Sequence, residues 1–152
     1  MKKTSIYTLA LCFSLNVLMM ACSVDLDSSK NGDLDGYWHI TAVDTIATGG
    51  VKDLSNVRLF WAFQKDLLDI RDVDSMRHHY LLRFARWGNV LQLSQPYLYD
   101  RLNPAGDVPV TDSTVLMPFG INHLEERFVI EHLGSGTMLL RNDSLRISFR
   151  KL

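Results

Sequence analysis

Five histidines are the side chains in this sequence best suited to metal or acid–base chemistry, and their spacing fits neither. His78 and His79 are adjacent, so in a strand their side chains point to opposite faces and cannot bind one ion. His123 and His132 have glutamates nearby, but no His-x-His, His-x3-His or cysteine cluster supplies ligand spacing. We therefore predict no metal site and no cofactor.

Other catalytic patterns are also missing from the sequence. No Gly-x-Ser-x-Gly elbow or glycine-rich phosphate loop is present, and the Gly-Ser-Gly of residues 134–136 is better explained as a hairpin turn. Without Lys2 and Lys3, the 16 basic residues become 14 against 17 acidic ones, and no basic run occurs. We predict that the protein is not an enzyme and does not bind nucleic acid.

Cys22 is the residue whose position indicates a covalent modification. Two lysines at positions 2 and 3 precede a mostly apolar run over residues 6–20, which is shorter than the roughly 20 residues that span a bilayer. This arrangement is typical of a signal peptide. The only other cysteine, Cys12, lies inside that run, so the remaining chain can form no disulfide.

The end of the apolar run resembles a bacterial lipobox, in which a small residue precedes a cysteine that receives a diacylglyceryl group. Ala21 and Cys22 fit this pattern, whereas Met19 stands where leucine is usual. The alternatives are cleavage after Ser23 at a small-x-small site, and an uncleaved anchor with Cys22 as an incidental thiol. Lipidation of Cys22 is the interpretation we adopt.

Three segments follow from this interpretation. Residues 1–21 are predicted to be a lipoprotein signal peptide, residues 22–35 the lipidated cysteine with a flexible acidic tether, and residues 36–152 the folded domain. An aspartate directly after the cysteine would favour retention in the inner membrane, and this sequence has Ser23 there. We therefore predict a lipid-anchored envelope protein of the outer membrane. Which face of that membrane it occupies stays open.

The body of the chain alternates apolar and polar residues with period two. The clearest case is residues 145–150, in which Leu145, Ile147 and Phe149 alternate with polar side chains. Further strands are predicted over residues 37–43, 57–64, 67–71, 79–87, 90–93, 127–133 and 137–141, with one more at 114–117. All four prolines fall within residues 95–120, which we predict to be mainly loop.

About eight short strands joined by tight turns predict an all-β antiparallel up-and-down barrel. Closure of the sheet would also remove exposed strand edges. Large aromatic residues on these strands either fill the barrel or line a cavity for an apolar ligand, and filling is the interpretation that their size favours. The candidate cavity or core residues are Trp38, Trp61, Phe63, Phe84 and Trp87.

The start of the first strand resembles a known family. Gly36-Tyr37-Trp38 is similar to the Gly-x-Trp of lipocalins, in which the tryptophan closes one end of an eight-stranded barrel. The whole chain resembles the small lipocalin-like lipoproteins of Bacteroidetes, most of which have no assigned function. The resemblance implies a barrel that binds a small apolar ligand, although the later Thr-Asp-Tyr-type motif of lipocalins has no clear counterpart here.

The same resemblance implies O-glycosylation, which in such bacteria occurs at Asp-Ser or Asp-Thr before an aliphatic residue, Ala, Met or Thr. The alternative is that these dipeptides are ordinary turn residues. The four matching positions are Thr45, Ser75, Ser113 and Ser144.

Two functions of different classes remain. The first is an anchored, non-enzymatic barrel that binds a small apolar ligand. The second is a protein-interaction module that acts through exposed loops, as a surface-complex subunit or an enzyme inhibitor. Its best candidate surface is residues 95–120, with Tyr97, Tyr99 and Arg101, because tyrosine and arginine are enriched at contact sites.

Overall fold

The computed structural model describes residues 29–75 and 79–152. The predicted signal peptide and the first half of the segment 22–35, including Cys22, lie outside the described residues. So do His78 and Met76, the latter a member of one candidate glycosylation triplet. Within the described residues, no helix has the length and apolar character needed to cross a membrane.

Ten antiparallel strands are formed by the described residues, and eight of them close into a barrel. The order around the barrel is β1, β3, β4, β5, β6, β8, β9 and β10, and β10 pairs back onto β1. The short strands β2 and β7 extend the edges of β1 and β6. The bounds are β1 Gly36–Thr45, β2 Gly50–Asp53, β3 Leu59–Gln64, β4 Leu67–Asp72, β5 His79–Trp87, β6 Val90–Leu98, β7 Val108–Pro109, β8 Glu126–Leu133, β9 Thr137–Arg141 and β10 Leu145–Lys151.

This architecture confirms the predicted all-β, antiparallel up-and-down barrel of about eight strands. Because neighbouring strands alternate in direction, the turns divide between two ends of the barrel. We call one end the base: the chain enters β1 and leaves β10 there, and the turns at 65–66, 88–89 and 134–136 lie beside it. The other end is the rim, with the connections at 46–49, 54–58, 99–125 and 142–144 and the described residues 73–75.

The base is closed by a short 3-10 helix, Gly32–Leu34, which immediately precedes β1. Leu34 is fully buried, and its carbonyl oxygen accepts a 2.8 Å hydrogen bond from Trp38 Nε1. Lys151 Nζ lies 4.9 Å from the centre of the Trp38 ring and donates to the carbonyl oxygen of Asp33. Residues 29–35 are therefore part of the folded domain, which corrects the prediction that the flexible tether extends to residue 35.

The rim is closed by a second 3-10 helix, Ser113–Phe119, which we call the rim plug. It carries Leu116 and Phe119 into the barrel, where both are fully buried. Asp112 begins the helix by accepting a hydrogen bond from Thr114 N, and Gly120 ends it in a left-handed conformation. The strand predicted at 114–117 is wrong, because these two caps outweigh the β propensity of Thr114 and its neighbour.

Other departures from the predicted strands concern β3, β6 and two short additional strands. β3 begins at Leu59, after residues 57–58, which belong to the connection from β2. β6 continues to Leu98, beyond the predicted end at 93, by passing through a bulge at which Gln95 has a φ of 51°. β2 and β7 were not predicted, because short edge strands show little alternation.

Candidate interaction surface

The interior of the barrel is filled with aromatic rings. Trp38, Trp61, Phe63 and Phe84 all belong to the core and are at most 7% exposed. The Trp61 ring centre lies 5.1 Å from that of Phe149, and the Phe63 and Phe84 centres are 5.0 Å apart. Such edge-to-face pairs occupy the width that an eight-stranded barrel leaves between its walls.

Trp87 is the exception among the predicted core residues, since it is 49% exposed. Side chains in a strand alternate between faces, and Trp87 is an odd number of residues from the buried Phe84. It therefore lies on the outer face, beside Arg127, whose guanidinium is 5.8 Å from the ring centre. Placing Trp87 in the core was wrong.

The outer wall carries a continuous row of aromatic and charged side chains, which we call the outer band. It crosses β1, β3, β4 and β5 and ends in the segment after β6. Because its members occupy alternate positions to the core residues, they face away from the barrel interior. The members are Tyr37, Phe60, Asp69, Arg71, His79, Tyr99 and Arg101.

The half of the outer band on β1 and β3 is aromatic. Tyr37 and Phe60 stack with ring centres 4.9 Å apart, and the His39 ring lies 5.1 Å from Phe60. Phe60 is only 9% exposed although it points outward, because these neighbours cover it. The Arg71 guanidinium lies 5.9 Å from the centre of the Tyr37 ring. Burial raises the pKa of Tyr37, and the charge of Arg71 partly opposes this.

The second half of the outer band connects the wall to the rim. Arg71 is hydrogen-bonded to Asp69, which raises the pKa of the guanidinium, so its charge is permanent. His79 Nε2 lies 3.0 Å from Asp69 Oδ1, close enough for an ion pair but not aligned as a hydrogen bond. The His79 ring stacks on the Tyr99 ring with centres 4.1 Å apart, and the Arg101 guanidinium lies 4.9 Å from the centre of the same Tyr99 ring.

The segment that follows the band is held by its own polar side chains. Asp107 Oδ1 accepts a hydrogen bond from Asp100 N at 3.0 Å, and Asp100 Oδ1 accepts one from Leu102 N at the same distance. Arg101 Nε donates to the Tyr99 hydroxyl at 2.7 Å. Leu102 is nevertheless 94% exposed. A fixed loop that presents an exposed leucine beside tyrosine and arginine suits contact with a protein surface.

The rim also contains a buried carboxylate. Glu126 is 6% exposed, and its Oε2 accepts hydrogen bonds from Asn122 N and His123 N at 2.9 and 3.1 Å. Its Oε1 accepts a third from Asn142 Nδ2 at 3.1 Å. A surface depression of about 510 Å³ adjoins these residues. Because both carboxylate oxygens of Glu126 accept hydrogen bonds from residues of two rim connections, this side chain links the connections to each other.

The described histidines are dispersed over the barrel. His39 is buried and bonds to the carbonyl oxygen of Val57 at 2.7 Å, and His132 Nε2 lies 3.0 Å from Thr137 Oγ1. His123 precedes β8, so the structure does not bring it to His132 near the other end of that strand. Within residues 29–75 and 79–152, no three histidine, cysteine, aspartate or glutamate side chains form a group able to hold a metal ion.

All four candidate glycosylation positions lie at the rim. Thr45 ends β1, Ser75 follows β4, Ser113 begins the rim plug, and Ser144 lies in the turn between β9 and β10. Ser144 is exposed and the other three are half-buried. The sequence showed the four triplets but gave no indication that they meet at one end, which depends on the direction of each strand.

Comparison with known proteins agrees with this architecture. A family model described as a lipocalin-like domain matches residues 17–152. A solved structure of a lipocalin-like protein from Bacteroides uniformis is 22% identical, with a TM-score of 0.59, over 80% of this chain and 100% of that one. An uncharacterized protein from Bacteroides eggerthii is 15% identical, with a TM-score of 0.55, over 78% and 99%. No curated protein shows significant sequence similarity to the chain.

Proposed function

The chain belongs to the lipocalin-like domain family, and on that premise we propose that it is a non-enzymatic, lipid-anchored protein of the outer membrane that binds another protein. The contact surface is the outer band together with the loop that begins at Tyr99. The observation that carries the proposal is a contrast: the interior is occupied by packed rings, whereas Tyr99, Arg101 and Leu102 stand outside on an ordered loop.

The partner suited to this surface has an apolar centre and basic side chains around it. Exposed apolar residues cluster at the rim, including Val57, Val73 and Met117. Carboxylates lie at the same end of the barrel, and hydrogen bonds lower the pKa of Asp74, which accepts from Arg58, and of Asp53 and Asp112, which accept from backbone N–H groups. A surface of this kind gains affinity from its apolar centre and specificity from its charges.

Photo-crosslinking in the native envelope tests the proposed surface. A crosslinker at position 101 should yield one discrete protein adduct, and one at the exposed position 141 on β9, which lies across the barrel from β4, should yield none. Tyr99→Ser should abolish the adduct while the melting temperature stays unchanged, since Tyr99 lies outside the core. Equal adducts at both positions, or none at 101, would overturn this role.

The anchoring part of the proposal is supported by Cys22 and by the contact of residues 31–34 with the base of the barrel. Ser29 precedes the 3-10 helix that closes the base, so a lipid seven residues earlier would attach the barrel by that end. Intact-mass analysis of the protein purified from its own envelope should show a diacylglyceryl group on Cys22. A chain that starts at Val24 and carries no lipid would contradict anchoring.

Glycans are a further part of the proposal, since Thr45, Ser75, Ser113 and Ser144 share the rim. Carbohydrate at these positions would cover the apolar residues there and compete with a partner. The same mass measurement reports glycan occupancy. If the triplets serve only as turns, replacing each site with alanine should change the mass only by the difference between the two side chains.

A second candidate function is binding of a small ligand inside the barrel, and Trp61 is the residue that favours it. Its Nε1 is a buried donor without a hydrogen-bond acceptor in the described residues, a rare state for an indole in a packed core. A ligand with one polar atom would satisfy it, provided that the rim plug moves aside. Native mass spectrometry should then detect an adduct that Trp61→Phe weakens. An adduct-free protein would exclude this alternative.

A further inference from the structure

We infer that the base of the barrel rests on an anionic lipid surface, with the Trp87 ring at the level of the headgroups. The inference rests on the proposed function in one respect, because a lipid at Cys22 is what brings the base to the bilayer. It adds a second contact, reversible and dependent on charge, that the anchor by itself does not require.

The first argument is the charge at the base. A surface depression of about 680 Å³ lies between the N-terminal 3-10 helix and the turns at 65–66 and 88–89, and it is lined by Lys30, Lys65 and Arg86, with Asp33 as its one acid. Arg86 donates to the carbonyl oxygens of Asn31 and Gly88, at 3.2 and 3.3 Å. Carbonyl oxygens carry no net charge, so the guanidinium charge remains to attract phosphate groups.

The second argument is Trp87. It is the last residue of β5, next to the turn at the base, and 49% of its surface is exposed, whereas Trp38 and Trp61 are fully buried. An exposed indole beside basic side chains is the combination that favours the interface of a bilayer, where its ring meets acyl chains and its N–H meets water.

The third argument is the path of the chain. Asn31 Nδ2 donates to the carbonyl oxygen of Lys65 at 2.7 Å, and Leu34 is buried, so the start of the described chain is fixed to the base. Six residues separate Cys22 from Ser29, and the seven Cα–Cα steps between them reach about 25 Å at most. A lipid on Cys22 therefore keeps the base close to the bilayer.

At the opposite end the connections contain more acidic than basic residues, although Arg58 is paired with Asp74 there. An anionic surface would repel the rim and attract the base, so the two ends together favour one orientation of the barrel. The rim carboxylates that produce this asymmetry are Asp53, Asp74, Asp100, Asp107, Asp112 and Asp143. In this orientation the protein-binding surface proposed above points away from the membrane.

Trp87 provides the test. The protein purified with its own anchor is reconstituted into vesicles of phosphatidylcholine alone or mixed with phosphatidylglycerol, both containing brominated acyl chains that quench indole fluorescence at short range. The Trp87→Phe variant gives the emission of the two buried tryptophans, which is subtracted. We expect quenching of Trp87 in the phosphatidylglycerol vesicles, and its loss in 1 M salt, in which charges interact over only about 3 Å.

Charge variants give the matched comparison. Lys65→Gln and Arg86→Gln should each weaken docking about fivefold, the effect of one basic residue near an anionic surface. Lys52→Gln removes the same charge from β2 at the rim and should change nothing. Quenching that is equal in both kinds of vesicle, or that persists in 1 M salt, would overturn the charge-dependent contact.

Flotation of the vesicles separates the two proposals. Protein that floats with both kinds of vesicle but shows no quenching of Trp87 is anchored and not docked, which refutes the inference alone. Protein that floats only with phosphatidylglycerol, and is released by salt, is docked without an anchor, which refutes lipidation alone. Protein that floats with neither refutes both.

Discussion

Replacing Phe119 with alanine measures how much the rim plug contributes to the filled barrel. Phe119 is fully buried, and its ring packs edge-to-face on Tyr80 with centres 6.1 Å apart. If the plug is an integral part of the core, Phe119→Ala should lower the free energy of unfolding by about 4 kcal/mol, the usual cost of a buried phenylalanine. If the plug is loosely held, the space can collapse and the cost will be much smaller.

Urea denaturation followed by tryptophan fluorescence gives the answer, because Trp61 is buried in the same core. With an m-value of about 2 kcal/mol/M, a loss of about 4 kcal/mol lowers the midpoint by about 2 M. Met117→Ala is the matched control: it lies in the same helix but is 55% exposed, and should change stability by less than about 0.5 kcal/mol. A loss below about 1 kcal/mol for Phe119→Ala would refute the view that the plug completes the core, and would strengthen the ligand-binding alternative.

Three further outcomes follow from the rim. Gly120→Ala should destabilise the protein by more than about 2 kcal/mol, because φ is +81° and the new Cβ would collide with Ile147 Cδ1. Gly106→Ala, at φ +86° in open space, is the control that measures the backbone strain alone. Equal losses of stability in urea denaturation of the two variants would contradict the collision. Glu126→Gln should cost about 2 kcal/mol through weaker hydrogen bonds to two rim connections, and an unchanged urea midpoint would show that these bonds contribute nothing. A backbone N–H holds the pKa of Asp112 below its unfolded value, so its stabilising effect is complete above about pH 4 and disappears as the pH falls through the folded value. Hydrogen exchange in the rim plug should accelerate over that acidic range, and Asp112→Asn, which keeps the cap but does not titrate, should remove the pH dependence; identical profiles would refute the role of the carboxylate.

The sequence predicted individual residues of the outer band better than the surface that these residues form together. Tyr99 and Arg101 were singled out by residue type as contact residues, but Tyr37 and Phe60 were not. Period two assigns neighbouring residues to opposite faces, so the sequence contained the signal that Phe60 points outward. The contact of Tyr99 with His79 joins a loop to a strand some twenty positions earlier, and no local pattern predicts such a pair.

The sequence by itself determined the class of the fold and most of its core. Alternation over residues such as Leu145, Ile147 and Phe149 fixes which side chains face inward, since the strand repeat is two residues whatever the strand pairs with. The same local reasoning placed Trp38 and Trp61 inside, where both are fully buried.

Only the tertiary structure decided what closes the two ends. Leu34 and Phe119 come from segments predicted as tether and as strand or loop, and their burial depends on a barrel built from strands distant in the sequence. Whether a short apolar segment becomes a plug is decided by the space that the completed barrel leaves open, because a helix of this length has no stability of its own. The separation of a basic base from an acidic rim arises in the same way, from strand directions that no stretch of sequence specifies alone.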